Sequence, residues 1–147
     1  MQVNAILFDV QSIQRYIFAN NKLKANVGAS YIVDRLFEDV LCKDIILKIE
    51  SGADITSWKI RRDSITSIPT PVYVAYIGGG KALILIDNDH VNMIEDIIKN
   101  FTSQVLIQYP GLKVGVTTGP ITLEKNQFSI DEHQLFKQLK NNQYTLN

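Results

Sequence analysis

Three consecutive glycines, Gly78-Gly79-Gly80, stand between two short apolar runs in the stretch from Val74 to Asp87. No other feature limits the fold as tightly. Runs this short, rich in β-branched and aromatic residues, suit buried strands. Glycine alone accepts a positive φ without cost, so the triplet predicts a hairpin turn. A hairpin tip without side chains also lets a ligand approach main-chain N–H groups. From the hairpin alone, a plain tight turn and a ligand-facing turn both remain open.

Around this hairpin the composition is that of one ordinary globular domain. The 147 residues are 46% hydrophobic and 20% charged, and fifteen basic residues balance fifteen acidic ones. That balance provides no global field toward nucleic acid or an anionic membrane, so any such contact must be local. The single cysteine, Cys42, rules out a disulfide framework, fits a reducing cytoplasm, and falls in a helical pattern as a small core residue. No signal peptide is expected at the N-terminus, and no stretch approaches the eighteen apolar residues of a transmembrane helix. P-loop, Rossmann, metal-type Cys/His and nucleophile-elbow patterns are absent from the sequence.

Val3–Phe8 reads as a first, central strand ending at Asp9. A carboxylate at a strand end before a helix is a frequent site of chemistry, and equally a common helix-start residue. Ser12–Asn20 has helical spacing, with Ile13 and Ile17 toward the sheet. Asn20-Asn21-Lys22 is a break, and 23–27 is ambiguous. Ser30 is the expected N-cap of a longer helix carrying Val33, Leu36, Phe37, Val40, Leu41 and Ile45, ending near Ser51-Gly52. Trp58-Lys59-Ile60 suggests a short strand, and Arg61-Arg62-Asp63 is a charged cluster, read either as a solvated loop or as a phosphate-binding patch. Pro69 and Pro71 exclude a helix before the hairpin. Asp89 is the expected N-cap of a helix from Met93 to about Gln108, stopped by Tyr109-Pro110-Gly111. Leu112–Thr117 alternates as a fourth strand, Gly119-Pro120 is a turn, Ile121–Leu123 pairs briefly, and 131–139 forms a last helix. His90 and His133 each stand among polar residues and are expected to be solvated.

This order predicts an α/β (α+β) sandwich: a mainly antiparallel four-stranded sheet with helices on one face, in a single domain over 1–147 with its core at about 3–118 and a C-terminal extension over 119–147. The end of the first strand then lies beside the hairpin tip, bringing Asp9 to Gly78–Gly80. That is the ferredoxin-like arrangement of palm domains in polymerases and nucleotide cyclases.

Three blocks now carry a resemblance: Phe8-Asp9-Val10-Gln11-Ser12-Ile13-Gln14-Arg15-Tyr16-Ile17-Phe18, Leu23-Lys24-Ala25-Asn26-Val27-Gly28-Ala29-Ser30-Tyr31, and Tyr76-Ile77-Gly78-Gly79-Gly80-Lys81-Ala82-Leu83-Ile84-Leu85. In this order the chain resembles the palm domains of the polymerase-like large subunit of type III CRISPR effector complexes, members of the nucleotide cyclase superfamily. The active palm of that family carries Gly-Gly-Asp-Asp in its hairpin, where this chain has Gly78-Gly79-Gly80-Lys81. Two-metal phosphoryl transfer needs carboxylates holding two ions about 4 Å apart. Here Asp9 stands without a hairpin acid, Asp87 and Asp89 lie a strand length away, and Lys81 brings positive charge.

The resemblance is therefore to the family's non-catalytic Gly-Gly-Gly palm, which packs against the catalytic one with nucleotides at the junction. It implies a degenerate, cytoplasmic palm in prokaryotic antiviral defence. Such a palm binds ATP or another nucleotide and pairs with itself or a second palm, meeting nucleic acid only through a larger complex. Gly78, Gly79 and Gly80 would offer N–H groups to phosphate, and Lys81 would neutralise it. Ser12 and Asn20 or Asn21 would contact base or ribose, and Gln11, Ser12, Arg15 and Lys81 would be exposed at the junction. Two alternatives stay open. One is a nucleotidyl cyclase or oligonucleotide synthase in which Asp9 holds Mg²⁺ and a partner palm supplies the missing acids. The other is a scaffold without ligand, with Ser12 a helix cap and Lys81 a solvated strand-edge charge.

Overall fold

The computed structural model describes residues 1–11, 33–60, 65–124, 134–135 and 137–138. Strand β1 (Gln2–Gln11) carries apolar side chains on both of its faces, as a strand in the middle of a covered sheet must. It runs antiparallel to β3 (Lys81–Ile86) on one side and to β4 (Lys113–Thr122) on the other. Strand β2 (Val72–Gly78) pairs with β3, giving the order β2-β3-β1-β4. The expected antiparallel α+β palm-type sheet is thus the observed one.

Helix α1 spans 33–49 and packs with α2 (Asn92–Gln108) over one face of the sheet. Ile6, Phe8 and Val10 of β1 point into this layer. Phe8 meets Phe101 edge-on with ring centroids 4.9 Å apart, and Phe37 stacks on Phe101 at 5.7 Å. Within α1 the ten residues Phe37–Ile46 wind as a π-helix, and the Leu47 N–H bonds back five residues to the Cys42 carbonyl. The wider turn buries Leu41 with Cys42 and Ile45 with Ile46. Burial pushes the Cys42 thiol up to about 12, so it packs as a small apolar group.

The other face is also covered. Val3, Ala5 and Leu7 form a second cluster with Leu83, Leu85, Ile121, Ile65, Ile68 and the helical Leu135. A sheet with helices on one face therefore has a second, thinner apolar layer on the other.

Several boundaries depart from the sequence expectation. β1 continues two residues past Asp9 because β4 and the hairpin offer partners there. Gly119-Pro120 is not a turn: both lie within β4, an edge strand where proline's missing N–H costs no ladder bond. Ser57–Lys59 is a 3₁₀ turn rather than a strand, held by Asp54, which accepts from Ser57 Oγ at 2.7 Å and from the Ser57 N–H at 3.0 Å. Asp87, not Asp89, does the capping before α2, accepting from the Asp89 N–H at 3.1 Å. The expected first helix from Ser12, the Ser30 cap and the Arg61-Arg62-Asp63 cluster lie outside the described residues.

Candidate functional site: the glycine hairpin beside Asp9

At the hairpin, two glycines make the turn. Gly79 has φ +59° and Gly80 φ +82°, the paired positive values of a two-residue type I′ connection between Gly78 and Lys81. The Gly80 carbonyl accepts from the Val10 N–H at 2.9 Å, which ties the tip to β1. A side chain at Gly79 would meet nothing within 4 Å, so the tip is bare.

Register then fixes which side chains meet. Gly78 stands opposite Lys81, Lys81 opposite Asp9, and Asp9 opposite Gly115. Residues paired across antiparallel strands point to the same face. The neighbouring row on that face is Tyr76, Leu83, Leu7 and Thr117. Leu7 and Leu83 belong to the second apolar cluster, so Asp9 and Lys81 lie on the sheet face away from α1 and α2. The Lys81 Nζ lies 3.7 Å from Asp9 Oδ1, and the two side chains keep 35% and 15% of their exposure. This is an ion pair at charge-contact distance, longer than a hydrogen bond. The expected meeting of Asp9 with the hairpin is thus realised through Lys81.

On the opposite side of the tip lies a residue that sequence reasoning missed. Asp34, in the described start of α1, buries its Oδ1, which has no hydrogen-bond partner among the described residues. Burial raises its pKa, the Gly80 main-chain amide pulls it down, and Glu38 adds to the rise. One of the hairpin amides expected to face phosphate therefore leans toward a carboxylate. No spacing signal set Asp34 apart from the solvated acids of the same helix.

Gln11 contributes only main chain to this description, and Ser12, Arg15, Asn20, Asn21 and His133 lie outside the described residues. Asp87 sits at the far end of β3, as expected. His90 is not isolated: its Nδ1–H donates to the Asp87 carboxylate, and that bond raises its pKa.

Among the described residues no group of three or more His, Cys, Asp or Glu is placed to hold a metal ion. One carboxylate already facing an ammonium does not fit a two-ion centre, because the cation occupies the charge that Asp9 would lend to a metal. No helix among the described residues is long and apolar enough to cross a membrane.

Neither protein-family models nor curated protein sequences match the chain. Solved structures do. A Csm1–Csm4 cassette in complex with AMPPNP aligns with TM-score 0.59 at 20% identity, over 95% of this chain and 18% of that one. A Csm1–Csm4 cassette with one ATP aligns with TM-score 0.58 at 14% identity, over 96% and 20%. Csm1 of T. onnurineus aligns with TM-score 0.55 at 17% identity, over 95% and 19%. The chain has the fold of a segment of Csm1. It spans about a fifth of those chains' length. Csm1 is the large subunit of type III CRISPR complexes, so the fold likeness falls on the family that the motifs resemble.

Proposed function

We propose that this chain is a catalytically degenerate palm that binds a nucleotide at the Gly78–Lys81 hairpin and pairs with another palm in a type III CRISPR setting. The observation that carries the proposal is the Asp9–Lys81 ion pair on the bare hairpin face. In it a fixed cation stands where an active palm would place a metal-binding acid. Phosphate recognition needs positive charge and main-chain donors; Lys81 supplies the charge without a metal, and the Gly80 amide joins it by leaving the Asp34 carboxylate. Support comes from the matched cassettes, whose structures hold AMPPNP, pppApA and cyclic oligoadenylates. The remaining assignments belong to the same proposal: Ser12 at base or ribose, a single palm over 1–147, and a cytoplasmic, antiviral role.

In this arrangement Lys81 must turn from Asp9 toward the incoming phosphate, and the Asp9 carboxylate opposes that anion. Replacing Asp9 by asparagine removes the repulsion while keeping the side chain's size. Asp9→Asn is therefore expected to tighten ATP binding several-fold in EDTA, measured by isothermal titration calorimetry. A metal-dependent synthase would give the reverse: binding lost with Asp9→Asn, and Mg²⁺-dependent oligonucleotide product from the unaltered chain. No product is expected from ATP with Mg²⁺ or Mn²⁺.

A further inference from the structure

The hairpin face carries an aromatic ring in an unusual place. Between Val74 and Tyr76 the β2–β3 register shifts, so that Val74 pairs with Ile84 and Tyr76 with Leu83. Ala75 is the extra residue of a β-bulge. A bulge changes which face the following side chains take. Tyr73 and Ala75 belong to the cluster away from the long helices, and without the bulge Tyr76 would point into the helix layer. With it, Tyr76 joins the row beside Lys81 and Asp9, and Ile77 goes into the core instead.

Tyr76 is 42% exposed, a large amount for an aromatic side chain within a strand. Its ring leans along the strand over Gly78: a Cβ on Gly78 would come 2.8 Å from the Tyr76 hydroxyl and 3.1 Å from Cζ. The first glycine of the triplet is thus not needed for the turn, which Gly79 and Gly80 make; it leaves room for the ring. On that face Tyr76 and Lys81 stem from neighbouring rows, and the lean of the ring over Gly78, the residue paired with Lys81, carries its hydroxyl end into the lysine's row.

We infer that Tyr76 is the stacking platform for the base of the bound nucleotide, an inference that rests on the nucleotide-binding proposal above. An exposed aromatic face offers dispersion and stacking to any base, and the adjacent cation selects a base that carries phosphate. The platform is sequence-tolerant, because every base has a π-face. The bulge at Ala75 and the bare Gly78 are the two backbone features that build it.

The test measures affinities for ATP and for inorganic tripolyphosphate by calorimetry, on the full chain and three variants. Tyr76→Phe keeps the ring and is expected to bind ATP within about twofold of the unaltered chain. Tyr76→Leu removes stacking and is expected to weaken ATP by about 5- to 150-fold while leaving tripolyphosphate unchanged. Gly78→Ala pushes the ring aside and is expected to weaken ATP in the same selective way, with the fold kept, because only the far end of a side chain must move. Equal losses for ATP and tripolyphosphate in Tyr76→Leu would overturn the platform, as would no loss for either. If the unaltered chain binds tripolyphosphate and ATP equally, the platform fails while phosphate recognition stands; if it binds neither, the nucleotide proposal fails as well.

Discussion

The two faces of one sheet are built on opposite terms. On the helix side, Phe8, Phe37 and Phe101 interlock under α1 and α2 beside Ile6 and Val10 of β1. On the other side, a thinner apolar layer under Ile65, Ile68 and Leu135 gives way toward the hairpin to Asp9, Lys81, Tyr76 and Gly78. The same strands provide both faces, since alternate residues point opposite ways. The difference shows a division of labour: one face holds the strands in register, and the register then places charge and an aromatic ring on the other.

The sharpest way to break this comparison is to empty the helix side. Phe101→Ala removes a ring that touches both Phe8 and Phe37 and is expected to cost about 3–5 kcal/mol in denaturant unfolding. Its remaining folded fraction should bind ATP with unaltered affinity. A selective loss of affinity instead would mean that the two faces are not separable.

Lys81→Ala inverts that pattern. A partly exposed ion pair contributes about 0–1 kcal/mol to stability, so the melting temperature should barely move. ATP affinity should fall by about 1–3 kcal/mol, the loss of one charge-assisted contact. Calorimetry beside thermal denaturation separates the two, and unchanged affinity would return the hairpin to a plain turn.

Gly79→Ala sharpens the distinction between turn and platform. The position has open space but a positive φ, so the cost is backbone strain of about 1–2 kcal/mol. Gly78→Ala has no such strain and displaces only the Tyr76 ring. Unfolding midpoints should therefore fall for Gly79→Ala and hold for Gly78→Ala.

The smallest effect lies at the far end of the sheet. There Asp87 holds His90 and caps the turn before α2, while Asn88 joins Asn4 at 2.8 Å. The Asp87 bond raises the folded pKa of His90 above its ordinary value near 6.5. Its stabilisation is therefore fully present below about pH 6.5 and is lost as pH rises through the raised folded value. A shallow decline in melting temperature across that window, absent in His90→Gln, is expected. An identical decline in the variant would assign the dependence to another group.

Much of this was legible in the sequence because it is local. Three glycines in succession permit the positive φ that a tight turn needs, and the short apolar runs on either side make a hairpin the favoured reading. Element order did the rest for the fold class: Asp9 and the hairpin had to meet once β1 and β3 became neighbours. The helix bearing Phe37 and the helix bearing Phe101 were marked by their apolar stripes. The missing hairpin acids and the positive charge of Lys81 were legible as well, but its pairing with Asp9 was not: the sequence offered Lys81 only to phosphate or to solvent.

Tertiary structure alone decided the features that depend on partners distant in the chain. Gly119-Pro120 reads as a turn until β1 is there to receive it as a strand. A π-helical Phe37–Ile46 and an α-helical one share nearly the same apolar positions, so only packing under the sheet selects the wider winding. Asp34 differs from its acidic neighbours because packing buries its carboxylate, which raises its pKa, and sets it beside the Gly80 main chain. The bulge at Ala75 is the strongest case. Val74-Ala75-Tyr76-Ile77 fits an unbroken strand equally well, and a one-residue shift in register exchanges the faces of everything after it. The pairing of Tyr76 with Leu83 settles which face the ring takes, because register is a property of two strands together and not of either one's sequence.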